Sequence, residues 1–256
     1  MMQNTDQGAK NGRPSPPACL VGTAGWSIPK QHAGAFAGEG SHLERYARRL
    51  PAVEINSSFY RPHRPATYER WAAAVPPGFR FSVKVPREIT HIRRLVNTGS
   101  PLERFLGEVR ELGRALGPLL VQLPPSLSYN EATVERFLGD LRECFDGQLA
   151  CEPRHQTWFG DAAEAMLVNH QVARVAADPA ILPRAAQPGG WPGLLYVRLH
   201  GSPEIYHSAY SPEEIEATVR LLHAASAGSE NRWCIFDNTA LGEAAGQALD
   251  LLRRLG

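Results

Sequence analysis

In Val53-Glu54-Ile55-Asn56, at the head of a run that ends in Ser57-Ser58-Phe59-Tyr60-Arg61, β-branched apolar residues alternate with polar ones. A strand there puts Val53 and Ile55 on one face and Glu54 and Asn56 on the other, because side chains alternate across a strand. A carboxylate among apolar neighbours is costly to bury unless it is paired or hydrated. The chain must therefore build either a sheet with one wet face or a closed sheet with a polar interior.

The pattern recurs. Phe81, Val83 and Val85 alternate with Ser82 and Lys84, Val121 with Gln122, Cys151 with Glu152, and Leu195, Val197 and Leu199 with Tyr196, Arg198 and His200. Strands are expected over 19–26, 53–56, 79–85, 119–123, 149–152, 172–178, 194–200 and 232–237.

Between them the apolar residues fall at helical spacing. Ser41 and Glu44 have capping-box spacing ahead of Leu43, Tyr46, Ala47 and Leu50. Pro65 opens a helix carrying Tyr68, Trp71, Ala72 and Val75. Ser100 and Glu103 repeat the box, and the stripe from Leu102 to Leu116 carries that helix to a stop at Gly117-Pro118. Asn130 caps the next, and a short helix follows over about 160–170. Ser211 and Glu214 cap another, and Leu241, Ala244, Ala245, Ala248, Leu252 and Leu255 stripe the last. Residues 179–191 hold too many Pro and Gly for a full helix, so the sixth is expected to be short or irregular.

Eight strand-helix units in 256 residues is the arithmetic of an α/β fold, a single (β/α)8 TIM barrel. A doubly wound open sheet has fewer strands and is apolar on both faces. Loops after the first, third and seventh strands are long, whereas links into strands, such as Pro51-Ala52 and Asp146-Gly147, are short. The C-terminal strand ends are thus the expected working face. In a barrel, Val53, Ile55, Val83, Val121, Cys151, Val197 and Leu199 point out at the helices. Glu54, Lys84, Gln122, Glu152 and Arg198 point in, with Asn56, Arg154 and His200 nearer the mouth. Asp237, or Asn238 if the last strand slips by one residue, completes the ring.

The segments GTAGWS, VEINSSFYR, FRFSVKVPREITHIRRL, VQLPPS, CEPRHQTWF, YVRLHG and IFDN, in this order, resemble the YecE-like family, domain of unknown function 72, over nearly all of the chain after residue 18. The resemblance implies a barrel similar to those of endonuclease-IV-like and xylose-isomerase-like proteins, and implies no particular reaction. The chain departs from the family pattern at Ala24, where Ser is common, at Ile28, where an aromatic is usual, at Asp237-Asn238, where Asn-Asn is typical, and in a first loop without its usual Trp and Tyr.

Residues 1–17 lack an apolar core and are rich in Gly, Asn, Pro and Lys, which reads as a disordered leader ahead of a barrel domain over 18–256. No apolar run approaches the roughly 18 residues that span a bilayer, so no membrane partner and a cytoplasmic location are expected. Cys19, Cys144, Cys151 and Cys234 show no Cys-x-x-Cys spacing and are expected to be buried thiols.

The inward charges have two readings. Glu54, Lys84, Glu152 and Arg198 carry two charges of each sign and can neutralise one another as a structural ion network. Alternatively they form a preorganised site, with Glu54 and Glu152 as an acid-base pair and Lys84 and Arg198 holding an anion. Glu152 abuts Pro153-Arg154-His155, where the strand opens into loop, and is expected to be reached by water. His200 is either a proton shuttle near neutral pH or a structural hydrogen-bond donor. The loop 85–94 sets Arg87, His91, Arg93 and Arg94 against Glu88, which suits a phosphate-bearing substrate or a solvated, internally paired loop. Trp26, Phe59, Tyr60, Trp158 and Tyr206, at strand ends, stack on a ring or pack the wall.

The expected catalytic residues are Glu54, Glu152 and His200. The expected substrate contacts are Trp26, Asn56, Tyr60, Arg61, Lys84, Arg87, His91, Gln122, Arg154, His155, Arg198, Asp237 and Asn238. No cofactor or metal is expected, because no Gly-rich nucleotide loop, nucleophile elbow or metal-ligand spacing is present. The leading expectation is hydrolysis, elimination or isomerisation of a small anionic, phosphorylated or sugar-like molecule. The alternatives are nucleic-acid binding or processing, with Arg61, Arg64, Arg87, Arg93 and Arg94 tracking phosphates, and a noncatalytic ligand-binding scaffold. A net charge of +1 argues against a dedicated polyanion coat but leaves room for a local basic cleft.

Overall fold

A computed structural model describes residues 19–224 and 231–256. The leader expected over 1–17 lies outside the described residues. The strands are β1 (Leu20–Thr23), β2 (Ala52–Ile55), β3 (Arg80–Lys84), β4 (Leu116–Gln122), β5 (Leu149–Glu152), β6 (Val172–Arg174), β7 (Ala176–Asp178), β8 (Gly189–Gly190), β9 (Leu195–Leu199) and β10 (Arg232–Phe236). The α-helices are α1 (His42–Ala47), α2 (Pro65–Ala73), α3 (Gly99–Val109), α4 (Glu131–Cys144), α5 (Asp161–Asn169), α6 (Pro212–Ala224) and α7 (Glu243–Arg254).

One sheet runs β2-β3-β4-β5-β6 in parallel, with β8 as an antiparallel edge, and the other is ordered β1-β10-β9-β7. Two seams join them. Val175 is the hinge of the first: before it β6 pairs with β5, and after it β7 pairs with β9. At the second, β1 meets β2 through a bridge between Ala24 and Glu54, where the Gly25 N–H donates to the Glu54 carbonyl at 2.9 Å. This α/β layout is that of a barrel, though not a strict eight-and-eight. The sixth strand is split, and a 3₁₀ turn at Pro183–Ala186 plus β8 stand in place of a sixth α-helix, as the Pro and Gly content of that stretch requires. The thin cover leaves a cavity of about 480 Å³ between β7 and α6, walled by Ala176, Ala177, Leu199, Tyr210 and Leu221.

Strand alternation sorts the side chains. Val53, Ile55, Val83, Val121, Cys151, Val197 and Leu199 join the large apolar cluster between strands and helices. Ala52, Leu120, Ala150, Ala173, Tyr196, Trp233 and Ile235 form a smaller cluster inside the ring, where the Tyr196 and Trp233 rings stack 6.0 Å apart. This inner plug fills the base of the barrel and lifts the charged residues to its C-terminal end.

The helix starts follow their caps at Ser41/Glu44, Asn130 and Ser211/Glu214. The box at Ser100 does not form. Helix α3 already begins at Gly99, and no side chain caps it. Its apolar stripe also overran, because Gly113 at φ 51° breaks the helical path and Leu116 opens β4 instead. Leu241 precedes α7 and is exposed. Cys19, Cys151 and Cys234 are buried while Cys144 is only partly so, and burial pushes the Cys19 thiol up to about 12. Among the described residues no helix is long and apolar enough to cross a membrane.

The seam between β1 and β2 depends on Gly22, since a Cβ there would lie 2.1 Å from the Ala52 carbonyl oxygen. Gly22→Ala is expected to cost about 3 kcal/mol in urea denaturation, by prising the seam open. Gly139 in α4 has nothing within 4 Å of the same position. Gly139→Ala should instead stabilise by about 0.5–1 kcal/mol.

Candidate active site

The site is built around Arg198, which β9 points into the ring and which is fully buried. Its Nη2 and Nε donate to the two oxygens of Glu54 on β2 at 2.6 and 3.1 Å, a bidentate clamp. Its Nη1 donates to Glu152 Oε2 on β5 at 2.6 Å, and Nη2 also reaches Asp237 Oδ2 after β10 at 3.0 Å. One guanidinium thus ties together three strand ends that the fold only brings near one another. Below it, the Tyr196 hydroxyl lies 2.9 Å from Glu54 Oε2 and 2.8 Å from Ser82 Oγ, extending the network across β9, β2 and β3.

Above it sits His200, also fully buried. Its Nδ1 is 3.0 Å from Asp237 Oδ2, and its Nε2 is 2.9 Å from Glu152 Oε1 and 2.7 Å from Arg154 Nη2. Those contacts fit two hydrogen-bonding patterns of the ring. A neutral imidazole with its hydrogen on Nδ1 donates to Asp237 and accepts from Arg154, whereas an imidazolium donates to Glu152 as well. Arg154 also pairs directly with Glu152 Oε1.

Electrostatics follow from this packing. Burial raises the Glu152 carboxyl, but Arg198, His200 and Arg154 outweigh it and hold the group well below the carboxylate range. Burial and Arg198 act on Asp237 in the same way. Arg198 is held well above its ordinary value, since Glu54, Glu152 and Asp237 more than offset its burial. Glu152 is therefore not the hydrated carboxylate that its place at a strand end suggested. Its side chain is 1% exposed, with both oxygens engaged. Arg154, in the loop it was expected to open, folds back over it.

Lys84 differs from every group so far. It lies at the end of β3 and is 5% exposed, with Nζ 4.2 Å from the centre of the Phe59 ring. Its carbonyl accepts from Ser58 Oγ at 2.7 Å, but among the described residues its Nζ makes no hydrogen bond or ion pair. Burial and Arg198 lower it to about 8 despite Glu54, Asp237 and Glu152. His91 stands edge-on to the same Phe59 ring at 4.9 Å, and is lowered by burial and then by Lys84, Arg87 and Arg94.

The remaining expected residues divide. Asn56 stands at the mouth with Oδ1 buried and unpartnered, as is Nε of Arg154. Gln122 pairs in register with Glu152 and so shares its inward face. Tyr60, two-thirds exposed, and Arg61 are rim residues, and Arg87 is exposed beside His91. Asp237, not Asn238, faces inward. Asn238 Nδ2 instead donates to the Ser208 carbonyl and Gln247 Oε1. Trp26 belongs to the wall: Gly25 turns the chain at φ 85°, and Trp26 packs edge-on against Trp71 and Phe81 outside the ring. His155 caps its own 3₁₀ turn, with Nδ1 accepting from the Thr157 N–H at 3.3 Å. Arg93 is spent on Glu88, and Arg94 on Ser126, which leaves fewer arginines to track phosphates.

Sequence reasoning left Tyr196 and Ser82 out of the site, although alternation had put both on the inward face. Tyr206, half-exposed and edge-on to His200 at 6.0 Å, was considered only as a ring stacker. Among the described residues no group of three or more His, Cys, Asp or Glu is arranged to hold a metal ion. The oxygens of Glu54 and Glu152 are already taken by guanidinium and imidazole, and this donor set does not fit a divalent cation.

The family description "Protein of unknown function DUF72" matches residues 20–256. The chain belongs to the DUF72 family. UPF0759 protein YecE of Escherichia coli (strain K12) is 28% identical over 163 residues, which cover 63% of this chain and 58% of YecE. UPF0759 protein YunF of Bacillus subtilis (strain 168) is 22% identical over 92% of this chain and 94% of YunF. Two solved DUF72 family structures share the fold. The protein from Enterococcus faecalis V583 has a TM-score of 0.77 at 24% identity, covering 93% of this chain and 95% of its own. That from Thermotoga maritima MSB8 has a TM-score of 0.76 at 25% identity, covering 93% and 99%.

Because Glu152 is enclosed, Glu152→Gln in this DUF72 chain leaves Arg198 and Arg154 short of an anion, and is expected to cost about 3 kcal/mol or more at pH 7. The depressed pKa of Glu152 sets the pH dependence. Its stabilisation is complete above the unfolded carboxylate value and is lost as pH falls through the lower folded value. Denaturation midpoints of parent and variant should converge on acidification below about pH 4.

Proposed function

We propose that the barrel mouth binds a small anionic, phosphorylated or sugar-like substrate and performs acid-base chemistry on it. The observation that carries this reading is what the network leaves over. Arg198 and Arg154 nearly neutralise Glu54, Glu152 and Asp237, yet several groups at the strand ends keep unspent hydrogen-bonding capacity: Lys84 Nζ, Asn56 Oδ1, Arg154 Nε and Asp237 Oδ1. Of these, Asn56 Oδ1 and Arg154 Nε are buried without a partner, and such atoms are rare, so their place at the C-terminal end of the barrel supports a ligand site there.

The roles follow from which atoms are free. Glu54 is consumed by Arg198 and Tyr196, so it shapes the site electrostatically and does not move protons. His200 and Asp237 take the acid-base role, because the imidazole couples Asp237 to Glu152 and Asp237 retains an unbonded oxygen. The anionic end of the substrate lies toward Arg87 and His91. That side is basic because Glu88, the acidic group of the loop, is already held by Arg93 and Arg104. Tyr60 and Tyr206 flank the entrance with exposed rings.

Calorimetric titration with inorganic phosphate and a panel of sugar phosphates, alongside assays for turnover, tests the proposal. Binding is expected to weaken about tenfold or more in Arg87→Gln through loss of one charge-assisted contact. Asp237→Asn should retain binding and lose turnover. The absence of binding by every phosphorylated compound at low salt contradicts the reading.

A further inference from the structure

The chain uses arginine almost wherever it needs a cation. Of 27 Lys and Arg residues three are lysines: Lys10 lies outside the described residues, Lys30 is exposed, and Lys84 is buried at the end of β3. If the mouth needed only a fixed positive charge there, a guanidinium would hold an anion at least as well, with a forked donor set. What lysine adds is the ability to lose its proton and expose a lone pair.

The surroundings favour that state. The buried cations Arg198 and Arg174 are each paired with a carboxylate, whereas the Lys84 amine, among the described residues, has no carboxylate partner and lies over the face of Phe59. The charged groups around it are Arg198 on β9, Glu54 on β2, Glu152 on β5, Asp237 after β10 and His91 in the loop after β3. Burial and Arg198 prevail over the three carboxylates, so an appreciable fraction of the amine is neutral near physiological pH.

We infer that Lys84 is the nucleophile of this site, and that its amine forms an imine with the carbonyl carbon of a small phosphorylated aldehyde or ketone. The inference rests on the reading of the mouth as an anion-binding catalytic site. The Nζ lone pair attacks the carbonyl carbon, the C=O π pair moves to oxygen, and a proton passes from nitrogen to that oxygen to give a carbinolamine. The nitrogen lone pair then expels the hydroxyl, which leaves as water after taking one further proton, and loss of a proton from nitrogen gives the imine. The sum is amine plus carbonyl to imine plus water, with no oxidant or reductant. Asp237, whose Oδ1 has no hydrogen bond among the described residues, relays protons between nitrogen and oxygen. The iminium in turn draws electrons from the adjacent carbon, which makes elimination or isomerisation there accessible to the same acid-base groups.

The full chain, incubated separately with glycolaldehyde phosphate, glyceraldehyde 3-phosphate and dihydroxyacetone phosphate, is reduced with sodium cyanoborohydride and its peptides are weighed. At about pH 7.5 a reduced adduct should form at Lys84 on the order of tenfold faster than at Lys30, with a pH midpoint well below that of an ordinary lysine. Lys84→Arg, which keeps a cation there, should give no adduct at position 84 and leave labelling of the exposed Lys30 unchanged. If phosphate and the three compounds bind but none labels Lys84 faster than Lys30, the imine is overturned and the anion site stands. If nothing binds and nothing labels, both fall.

Discussion

Arg198 is the constraint on which the rest of this molecule depends. A guanidinium at the centre of a closed sheet is tolerated only if its donors are satisfied, and here Glu54, Glu152 and Asp237, from three strands, do so. That requirement fixes the rotation of β2, β5 and β10 relative to β9, because a register slip of one residue would turn each carboxylate out toward the helices. The apolar plug of Tyr196, Trp233, Leu120 and Ile235 beneath it keeps the cluster at the strand ends. Replacing the cluster with apolar residues of similar volume need not cost stability, so its presence is weak evidence for stability as its purpose.

The interior thus divides into two layers of different character. In the lower one, charges are matched and every carboxylate oxygen of Glu54 and Glu152 is engaged. In the upper one, Lys84, Asn56, Arg154 and Asp237 hold polar atoms without partners among the described residues, with His91 close to Lys84 and Arg87. The ion network that the inward charges allowed is the lower layer, and the proposed ligand site is the upper one. In the proposed function the upper layer holds the substrate, and the His200 hydrogen bonds to Asp237 and Glu152 join it to the lower.

Much of this was legible in the sequence, because a period of two is a local signal. Alternation alone placed Glu54, Lys84, Glu152, Arg198 and His200 inside and their apolar neighbours outside, and the caps at Ser41, Asn130 and Ser211 marked real helix starts. What alternation cannot supply is the reach of a long side chain. Glu152 was expected to be wet because its strand opens into Pro153-Arg154-His155, yet its exposure is decided by Arg154 folding back and by Arg198 crossing from β9. Trp26 left the site through one glycine's positive φ, and His155 was lost to a local cap, both backbone events that composition does not announce.

In the proposed function the buried charges of this DUF72 protein divide between a structural network and a reactive mouth. Urea denaturation of Arg198→Met and Lys84→Met beside the parent at about pH 7 tests it most directly, since both replace a buried cation by an apolar chain of similar length. Because Lys84 has a lowered pKa and no paired carboxylate, its charge opposes folding below about 8, and Lys84→Met is expected to be as stable as the parent or more so. Arg198→Met should lose about 3 kcal/mol or more, having stranded three carboxylates. Equal and large losses in both variants would contradict the division and make Lys84 one more member of the network.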